Sequence, residues 1–418
     1  MLREFKDDFK IIFRYTQLFP LCFAVLVSML GFGLVMPLLP IYARNFGATG
    51  MQLGFLTAAF AVARIVTTFP GGWLADKMGR KKPIILGLLA YSVVMSLYGF
   101  STDVNQLILF RTLQGMASGV VWPIMSTMVV DMVLPKDRGK AMGLYEMMWF
   151  LGMVIGPGLG GTLSGLFTIA VPFFVCGALA FVSTILVAFT VQETITHEEN
   201  MNALQAESSI SNEPASEESP SSGLGMGQLT PYVGIFVGLC IARFLLAFSN
   251  SLIQPVLSVY ANEELGISEF GVGMLFTVQG VVTLFATLPM GTVADKTGRK
   301  PMITLGQMFD AASAIFIIFS GSFLPLLLAM MVRGYGRAVS NPSIVAMFSG
   351  LVPFSKRGRG MGVFNIFQNV GLVLGATVGG FLYDFSSSEI PFIACAIASF
   401  VGVLVVLIMV SEPKQSLN

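Results

Sequence analysis

Apolar stretches of about 20 residues alternate along the whole chain with short charged or turn-rich breaks. A helix of about 20 apolar residues is long enough to cross a bilayer core of about 30 Å. Hydropathy bounded by these breaks predicts twelve membrane-spanning helices, and hence an all-α polytopic membrane protein. The predicted spans are 18–42, 52–75, 84–101, 105–131, 140–165, 170–191, 232–260, 271–293, 302–321, 324–351, 360–383 and 389–411.

Composition agrees with a membrane environment. The chain is 55% apolar and only 11% charged, whereas soluble domains carry about 25% charged residues. Eighteen lysines and arginines fall in breaks on one predicted side of the membrane, and only Arg44 falls in a break on the other side. An excess of positive charge marks the cytoplasmic side. We therefore expect a multi-pass protein of the cell membrane, plasma or inner, with both termini in the cytoplasm.

The chain repeats itself at a shift of 219 residues. The charged turn GWLADKMGRKKP at 72–83 returns as GTVADKTGRKP at 291–301. Each half holds an even number of predicted spans, so both halves enter the membrane with the same polarity. This arrangement predicts two parallel-repeat six-helix bundles, residues 1–191 and 231–418, with a site near the midplane between them.

The segment 192–230 differs from both halves. It contains seven glutamates and no lysine or arginine. Low hydrophobicity and the absence of periodicity are typical of chain that does not order itself. We expect a flexible acidic cytoplasmic linker. The alternative is a small folded domain, for which the segment has almost no apolar residues to build a core.

Several motifs resemble those of one transporter family. G-x-[LV]-A-D-[KR]-x-G-R-[KR], present at 72–81 and 291–300, resembles the signature loop of the major facilitator superfamily. RTLQG at 111–115 resembles its fourth-span motif, and GMVIGPGLGG at 152–161 resembles its fifth-span antiporter motif. The chain is similar to the twelve-span drug:proton antiporter (multidrug efflux) group. This resemblance implies the major facilitator fold.

The resemblance also implies a gate at the signature loops. It implies that Asp76 caps the start of span 11 near Gly358 and that Arg80 pairs with Asp131 at the end of span 4. A carboxylate is favourable at the positive end of a helix dipole. The alternative is that the basic residues only set topology. The predicted gating residues are Gly72, Asp76, Gly79, Arg80, Asp131, Asp295 and Arg299. Gly72 and Gly79 would permit close backbone approach.

A glycine run marks span 5. Gly152, Gly156 and Gly160 lie four residues apart, so they share one helix face that permits close helix packing. Pro157 removes a backbone donor and can bend the helix, whereas the second half has Ala376 at its repeat position. The resemblance links the proline-containing version to export by antiport. Ordinary helix packing is the alternative.

Seven charged side chains fall well inside predicted spans. A charge at the bilayer centre costs about 2.5–3.5 kcal/mol on insertion scales, so each should face a cavity or a partner. The resemblance implicates Arg111 in proton coupling, and Glu146 is our candidate proton carrier. Many exporters of the family carry an acid in span 1, and this chain has none there. The seven are Arg64, Arg111, Arg243, Arg333, Arg337, Glu146 and Asp310.

Arginine outnumbers acid in the predicted cavity, which favours an anionic or zwitterionic substrate. The alternative for an isolated arginine is a packing contact with backbone carbonyls. The residues that we predict to line the cavity are Arg64, Arg243, Asn250, Gln254, Arg333, Arg337 and Gln368.

We therefore expect a secondary active transporter, a monomer that exports small amphipathic drugs or metabolites by proton-coupled alternating access. The alternative is an importer or uniporter of a small anionic nutrient. A more remote alternative is an intramembrane enzyme or receptor, but no GxSxG, HExxH or nucleotide loop occurs at a span end. The four cysteines lack metal-ligand spacing, and the net charge of +1 does not indicate nucleic acid. We expect no cofactor and no metal.

Overall fold

The computed structural model of the protein describes residues 14–194, 226–352, 357–385 and 387–412, with side chains for all of these except 226–233 and 357–359. These ranges contain twelve long helices and no strand. The helices are α1 Leu18–Asn45, α2 Gly50–Met78, α3 Lys81–Tyr98, α4 Val104–Asp131, α5 Arg138–Leu166, α6 Val171–Thr190, α7 Met226–Val259, α8 Glu269–Thr297, α9 Arg299–Ile318, α10 Phe323–Leu351, α11 Arg357–Phe385 and α12 Ile390–Met409.

The twelve helices correspond one for one to the twelve predicted spans. The largest difference is at α7, which begins at Met226 instead of the predicted 232. Eleven of the helices in the described ranges are long and apolar enough to cross a membrane. The exception is α10, because Arg333, Arg337 and neighbouring polar residues reduce its hydropathy. The all-α prediction is confirmed.

Local chemistry explains where several helices begin and end. Gly79 and Gly298 have φ angles of 84° and 99°, a left-handed conformation that glycine adopts without strain. They separate α2 from α3 and α8 from α9. Asp103 caps α4 by accepting hydrogen bonds from the backbone nitrogens of Asn105 at 2.6 Å and Gln106 at 3.1 Å. Such caps satisfy donors that a helix leaves without partners at its start.

The chain divides into two compact units. The first contains the described parts of Met1–Gly33, Val62–Gly156 and Phe167–Gly223. The second contains the described parts of Leu34–Ala61, Pro157–Leu166 and Leu224–Asn418. The second unit therefore includes one end of each of α1, α2 and α5 together with α7 to α12.

The predicted boundaries 1–191 and 231–418 stay predictions. Most of the predicted linker, residues 195–225, lies outside the described residues, and its last residues from Met226 belong to α7.

In the first unit α3 packs against α4 and α6. Its apolar core draws on six of the long helices. Fully or nearly fully buried members include Leu21, Ile84, Met125, Tyr145 and Val187. In the second unit α7 packs against α11 and α12, and α9 packs against α10 and α12.

Glycines bring α11 into backbone contact with α7. A β-carbon at Gly371 would lie 2.5 Å from the carbonyl oxygen of Phe244. At Gly375 and Gly379 a β-carbon would overlap the carbonyl oxygens of Phe248 and Leu252. Apolar surface gives no hydrophobic driving force between helices in lipid, so close van der Waals packing of this kind contributes strongly to their association.

The glycine run of α5 makes the equivalent contacts. A β-carbon at Gly152 would lie 2.5 Å from the carbonyl oxygen of Leu26 on α1, and one at Gly160 would lie 2.9 Å from Leu34. Gly156 is buried on the same helix. The predicted glycine face of α5 is therefore a packing surface for α1, as the glycine face of α11 is for α7.

Replacing Gly375 by alanine should lower the melting temperature, because the new methyl group overlaps backbone atoms of Phe248. Overpacking of this kind costs about 1–3 kcal/mol. Gly362 on the same helix is the matched control, since a β-carbon there meets no atom within 4 Å. Gly362→Ala should leave stability unchanged or slightly higher. Equal melting temperatures for the two variants in detergent would contradict the packing role.

Candidate functional site

The first signature loop joins α2 to α3 and contacts the end of α4. Arg80 forms an ion pair with Asp131 through its Nη1 atom and the carboxylate Oδ2. The two side chains are 14% and 32% exposed, so water only partly screens the pair. The structure thus brings together the arginine and the acid that the motif pairs.

A second acid, Glu193, lies at the same loop. Its carboxylate accepts hydrogen bonds from the backbone nitrogens of Arg80 at 2.8 Å and Lys81 at 3.0 Å. These nitrogens stand at the start of α3, where a negative charge meets the positive end of the helix dipole. Sequence reasoning missed this contact because Glu193 falls in the segment interpreted as linker.

The second signature loop repeats this cap. Glu412 accepts a hydrogen bond from the backbone nitrogen of Lys300 at 3.1 Å, at the start of α9. Glu193 and Glu412 are 219 residues apart (412 − 193), the same shift that relates the two loops. That agreement is the sequence signal that could have identified both acids.

The arginine of the second loop has a different partner. Arg299 donates from Nη1 to the carbonyl oxygen of Ala346 at 2.6 Å and lies 3.6 Å from Asp295. The repeat position of Asp131 is Gly350, where a β-carbon would lie 3.6 Å from Arg299 Nη1. The second loop therefore has the arginine in the equivalent place without the acid.

Asp76 is exposed and interacts electrostatically with Arg80. The expected contact near Gly358 lies outside the residues whose side chains are described. At Gly72 a β-carbon would meet no atom within 4 Å. The close approach expected at Gly72 is therefore absent, because none of the helix atoms that the structure describes reaches that position.

Two arginines of the first half lie against aromatic rings. The Arg64 guanidinium is 5.7 Å from the centre of the Trp122 ring, and that of Arg111 is 5.5 Å from the Phe32 ring. The two rings meet edge to face at 5.9 Å. A cation over an aromatic face is attracted by the ring quadrupole, so these rings help to accommodate positive charge in an apolar region.

Arg111 also belongs to a buried polar network. Its Nη1 donates to Gln114 Oε1 at 2.7 Å, and the Tyr98 hydroxyl donates to the same oxygen at 3.0 Å.

Glu146, the predicted proton carrier, lies on α5 with an exposed side chain. Within the described ranges the Glu146 carboxylate makes no hydrogen bond or ion pair.

Arg243 occupies the middle of α7 and binds neutral side chains. It donates from Nη1 to Asn341 Oδ1 and from Nη2 to Gln368 Oε1, the latter at 2.8 Å. Its guanidinium is 5.3 Å from the centre of the Phe364 ring. The structure therefore brings together Arg243 and Gln368, two of the residues that we predict to line the cavity, and adds Asn341 to the set.

Arg333 is buried and lies against an acidic side chain. It is 2% exposed and lies 3.7 Å from the carboxylate of Asp310 on α9. It also donates to Asn250 Oδ1 at 3.2 Å and lies 3.9 Å from Cys395 Sγ. This environment differs from the cavity surface that we expected for Arg333, because α9 packs directly against α10 and supplies a buried acid.

Arg337 follows Arg333 by one turn of α10 and is partly buried. It is near enough to Arg333 and Asp310 to interact with both electrostatically. No hydrogen bond or ion pair of its guanidinium occurs among the described residues. Gln254 follows Asn250 by one turn of α7 and is also partly buried.

An ion pair lies at the helix ends opposite the signature loops. Arg44, near the end of α1, donates from Nε and Nη2 to the two carboxylate oxygens of Glu263, each at 2.9 Å. Such a two-pronged arrangement fixes the relative orientation of both groups. The residues are 219 apart in sequence, so each occupies the repeat position of the other.

Asp384 adds a second contact at the helix ends that carry the Arg44–Glu263 pair. Its two carboxylate oxygens accept hydrogen bonds from the backbone nitrogens of Gly50 at 2.6 Å and Met51 at 2.8 Å. These nitrogens start α2, so the carboxylate also meets the positive end of a helix dipole. Gly380 lies one turn earlier on α11 and contacts the backbone of Gly50.

Comparisons with known proteins agree with this architecture. A family model described as the Major Facilitator Superfamily matches residues 21–226 and 239–418. Multidrug resistance protein 2 of Bacillus subtilis (strain 168) is 28% identical over 380 residues, which cover 90% of this chain and 91% of that protein. Quinolone resistance protein NorA of Staphylococcus aureus (strain Mu50 / ATCC 700699) is 26% identical over 399 residues, 94% of this chain and 96% of its own.

A solved structure shares the fold. It is a bacterial homologue of the human lysosomal transporter Spinster in an inward-facing and occupied conformation. The match has a TM-score of 0.77 at 14% identity and covers 95% of this chain and 97% of that one. Together with the family match over most of the sequence, these findings show that the chain belongs to the Major Facilitator Superfamily and is a multi-pass membrane transporter.

Proposed function

We propose that the protein exports small amphipathic molecules, drugs or metabolites, by proton-coupled alternating access. The observation that carries export is the similarity, over 90% and 94% of the chain, to two relatives named for drug resistance. Pro157 in the glycine run of α5 supports the same direction, since the family resemblance links that motif to antiport. We further propose that both termini lie in the cytoplasm and that the six-helix halves are joined by the acidic segment 192–230.

Glu146 is the proposed proton carrier. Asp310, the other acid well inside a helix, is engaged with Arg333 at 3.7 Å. Glu146 lies eight residues from the start of α5, about 12 Å along the helix, and has no ion-pair partner among the described residues. A carboxyl group in that position can exchange a proton without first breaking an ion pair. Arg111 retains its proton, so its part would be to bias the coupling through its positive charge.

The signature loops form the proposed cytoplasmic gate. The Arg80–Asp131 pair and the Glu193 cap support this role because they tie the α2–α3 loop to α4 and to the end of α6. Alternating access requires such contacts to be strong enough to favour one state and weak enough to break. A partly exposed ion pair falls in that range. Asp295 and Arg299 would hold the second loop more loosely, since Gly350 supplies no acid.

The opposite end carries the proposed counterpart of that gate. Arg44 and Glu263 join α1 to the end of α7, and Asp384 joins α11 to the start of α2. Both carboxylates are exposed and Arg44 is partly exposed, so solvent can compete for these groups when the helices separate.

Uptake or facilitated diffusion of a small anionic nutrient is the second candidate function. The observation that favours it is the excess of buried arginine over acid among α7, α9 and α10. Overexpression in a drug-sensitive bacterium separates the two, because an exporter lowers cellular accumulation of a fluorescent drug and an importer does not.

Glu146→Gln should abolish the transport that an imposed pH gradient drives in proteoliposomes, because the amide cannot carry a proton. Movement of substrate down its own gradient should persist. Glu389→Gln is the control, since Glu389 is an exposed acid in the turn before α12. Gradient-driven transport by the Glu146 variant at the unmodified rate would remove Glu146 from the mechanism.

Asp131→Asn should reduce the transport rate per folded protein, because Arg80 loses its charged partner at the loop. Asp295→Asn is a suitable comparison, since Asp295 is 71% exposed and lies 3.6 Å from Arg299. We expect a clearly smaller effect there. Rates of substrate uptake into inside-out vesicles, where the cytoplasmic face points outward, give the measurement. These rates are normalised to the amount of folded, monodisperse protein. Equal losses in both variants would argue against a specialised first loop.

Arg44→Glu should alter the transport rate by about fivefold for each 1 kcal/mol lost from one conformation. The double variant Arg44→Glu/Glu263→Arg should restore the rate, because the two charges only exchange places. Glu264→Gln is the control, because it changes the charge of the turn that holds Glu263 without changing either member of the pair. The melting temperature should change little, since exposed ion pairs contribute about 0–1 kcal/mol. A double variant as impaired as the single one would exclude the pair as a gate.

A further inference from the structure

Two arginines of the second unit lie at the midpoints of their helices. Arg243 is the eighteenth of the 34 residues of α7, and Arg337 is the fifteenth of the 29 residues of α10. A helix centred in a bilayer places such residues near the midplane, where a charge is least favourable. Both side chains are at least partly buried. Their charges therefore need compensation at that depth.

The described residues supply it only in part. Arg243 donates only to the amide oxygens of Asn341 and Gln368, and its Nε is buried without a hydrogen-bond partner. The nearby carboxylate, that of Asp310, lies 3.7 Å from Arg333. Asp310 also acts electrostatically on Arg337, so one acid serves both arginines of α10. Three arginines against one acid leave an excess of two positive charges (3 − 1).

The two arginines are also close along the helix axis. Asn341, which accepts from Arg243, follows Arg337 by four residues on α10. Four residues advance a helix by about 6 Å and return to nearly the same face. Arg243 and Arg337 are thus placed on one side of α10 at neighbouring depths, with the Phe364 ring 5.3 Å from the Arg243 guanidinium.

We propose that Arg243 and Arg337 form an anion-binding site and that the transported substrate is an amphipathic organic anion. Its carboxylate, sulfonate or phosphate would bind between the guanidiniums, whose planar donors match such groups. Its apolar body would contact rings such as Phe364. The inference rests on the proposed function, because it assigns a substrate class to the transporter's own site.

Such a site would favour anion binding at the expense of the stability of the empty protein. An uncompensated charge at the midplane destabilises the protein without ligand, so removing one arginine should raise or maintain the melting temperature of the empty protein. The same change should weaken anion binding. A residue that served only helix packing would show the opposite effect on the empty protein.

The test uses the full-length protein purified in detergent, without any gradient. Its melting temperature is measured at increasing concentrations of each of four compounds at constant ionic strength. These are 2-naphthoate, 2-naphthalenesulfonate, neutral 2-naphthamide and cationic 2-naphthylmethylammonium. The two anions should raise the melting temperature with saturation, and the amide and the cation should not. Arg337→Gln and Arg243→Gln should each weaken apparent anion affinity by about tenfold or more. Arg337→Lys should keep most of it, and Arg138→Gln, at the exposed start of α5, should keep all of it.

Equal shifts with the amide or the cation would overturn the proposal, as would an anion shift that survives in Arg337→Gln. Loss of folding in the glutamine variants would also count against it, because it would assign the arginines to packing. Failure of proton coupling is a separate result. A protein that binds 2-naphthoate through Arg337 but ignores a pH gradient would retain the anion site and reject the proposed coupling.

Discussion

Backbone contact at the glycines of α11 is the constraint on which the other features of the second unit depend. Gly371, Gly375 and Gly379 leave α7 with no space for a side chain between the two helices. That proximity is what allows Gln368 on α11 to reach Arg243 on α7. At the far end of α11, Gly380 meets Gly50 and thereby sets Asp384 over the start of α2. One packing surface thus positions both a buried polar cluster and a helix cap.

The two halves share a frame but differ in chemistry. Both signature loops turn at a left-handed glycine, and both following helices begin against a glutamate, Glu193 or Glu412. Only the first loop adds an acid for its arginine. Buried charge is also unequal, since the arginines of the first half lie over Trp122 and Phe32 whereas Arg333 of the second has Asp310. The shared features hold the loops, and the differences are where directional function can arise.

Apolar spacing predicts all twelve helices because each must cover nearly the same hydrocarbon thickness with uncharged residues. The motif also predicts the Arg80–Asp131 contact, since both residues stand at helix ends whose depth is fixed. Depth alone cannot predict which way a side chain points around its helix. For that reason Arg333 was expected in a cavity and lies instead against Asp310. The contact of Glu193 could not be predicted for another reason. Its neighbours in sequence are polar residues typical of a linker.

The Arg44–Glu263 pair carries a consequence for the origin of the fold. Two identical halves around a two-fold axis would place each residue beside the axis opposite its own copy. Arginine would then face arginine, or glutamate would face glutamate, and the like charges would repel. The bond observed at 2.9 Å therefore requires two halves that differ in sequence at this position. Two molecules of either half alone could not rebuild it.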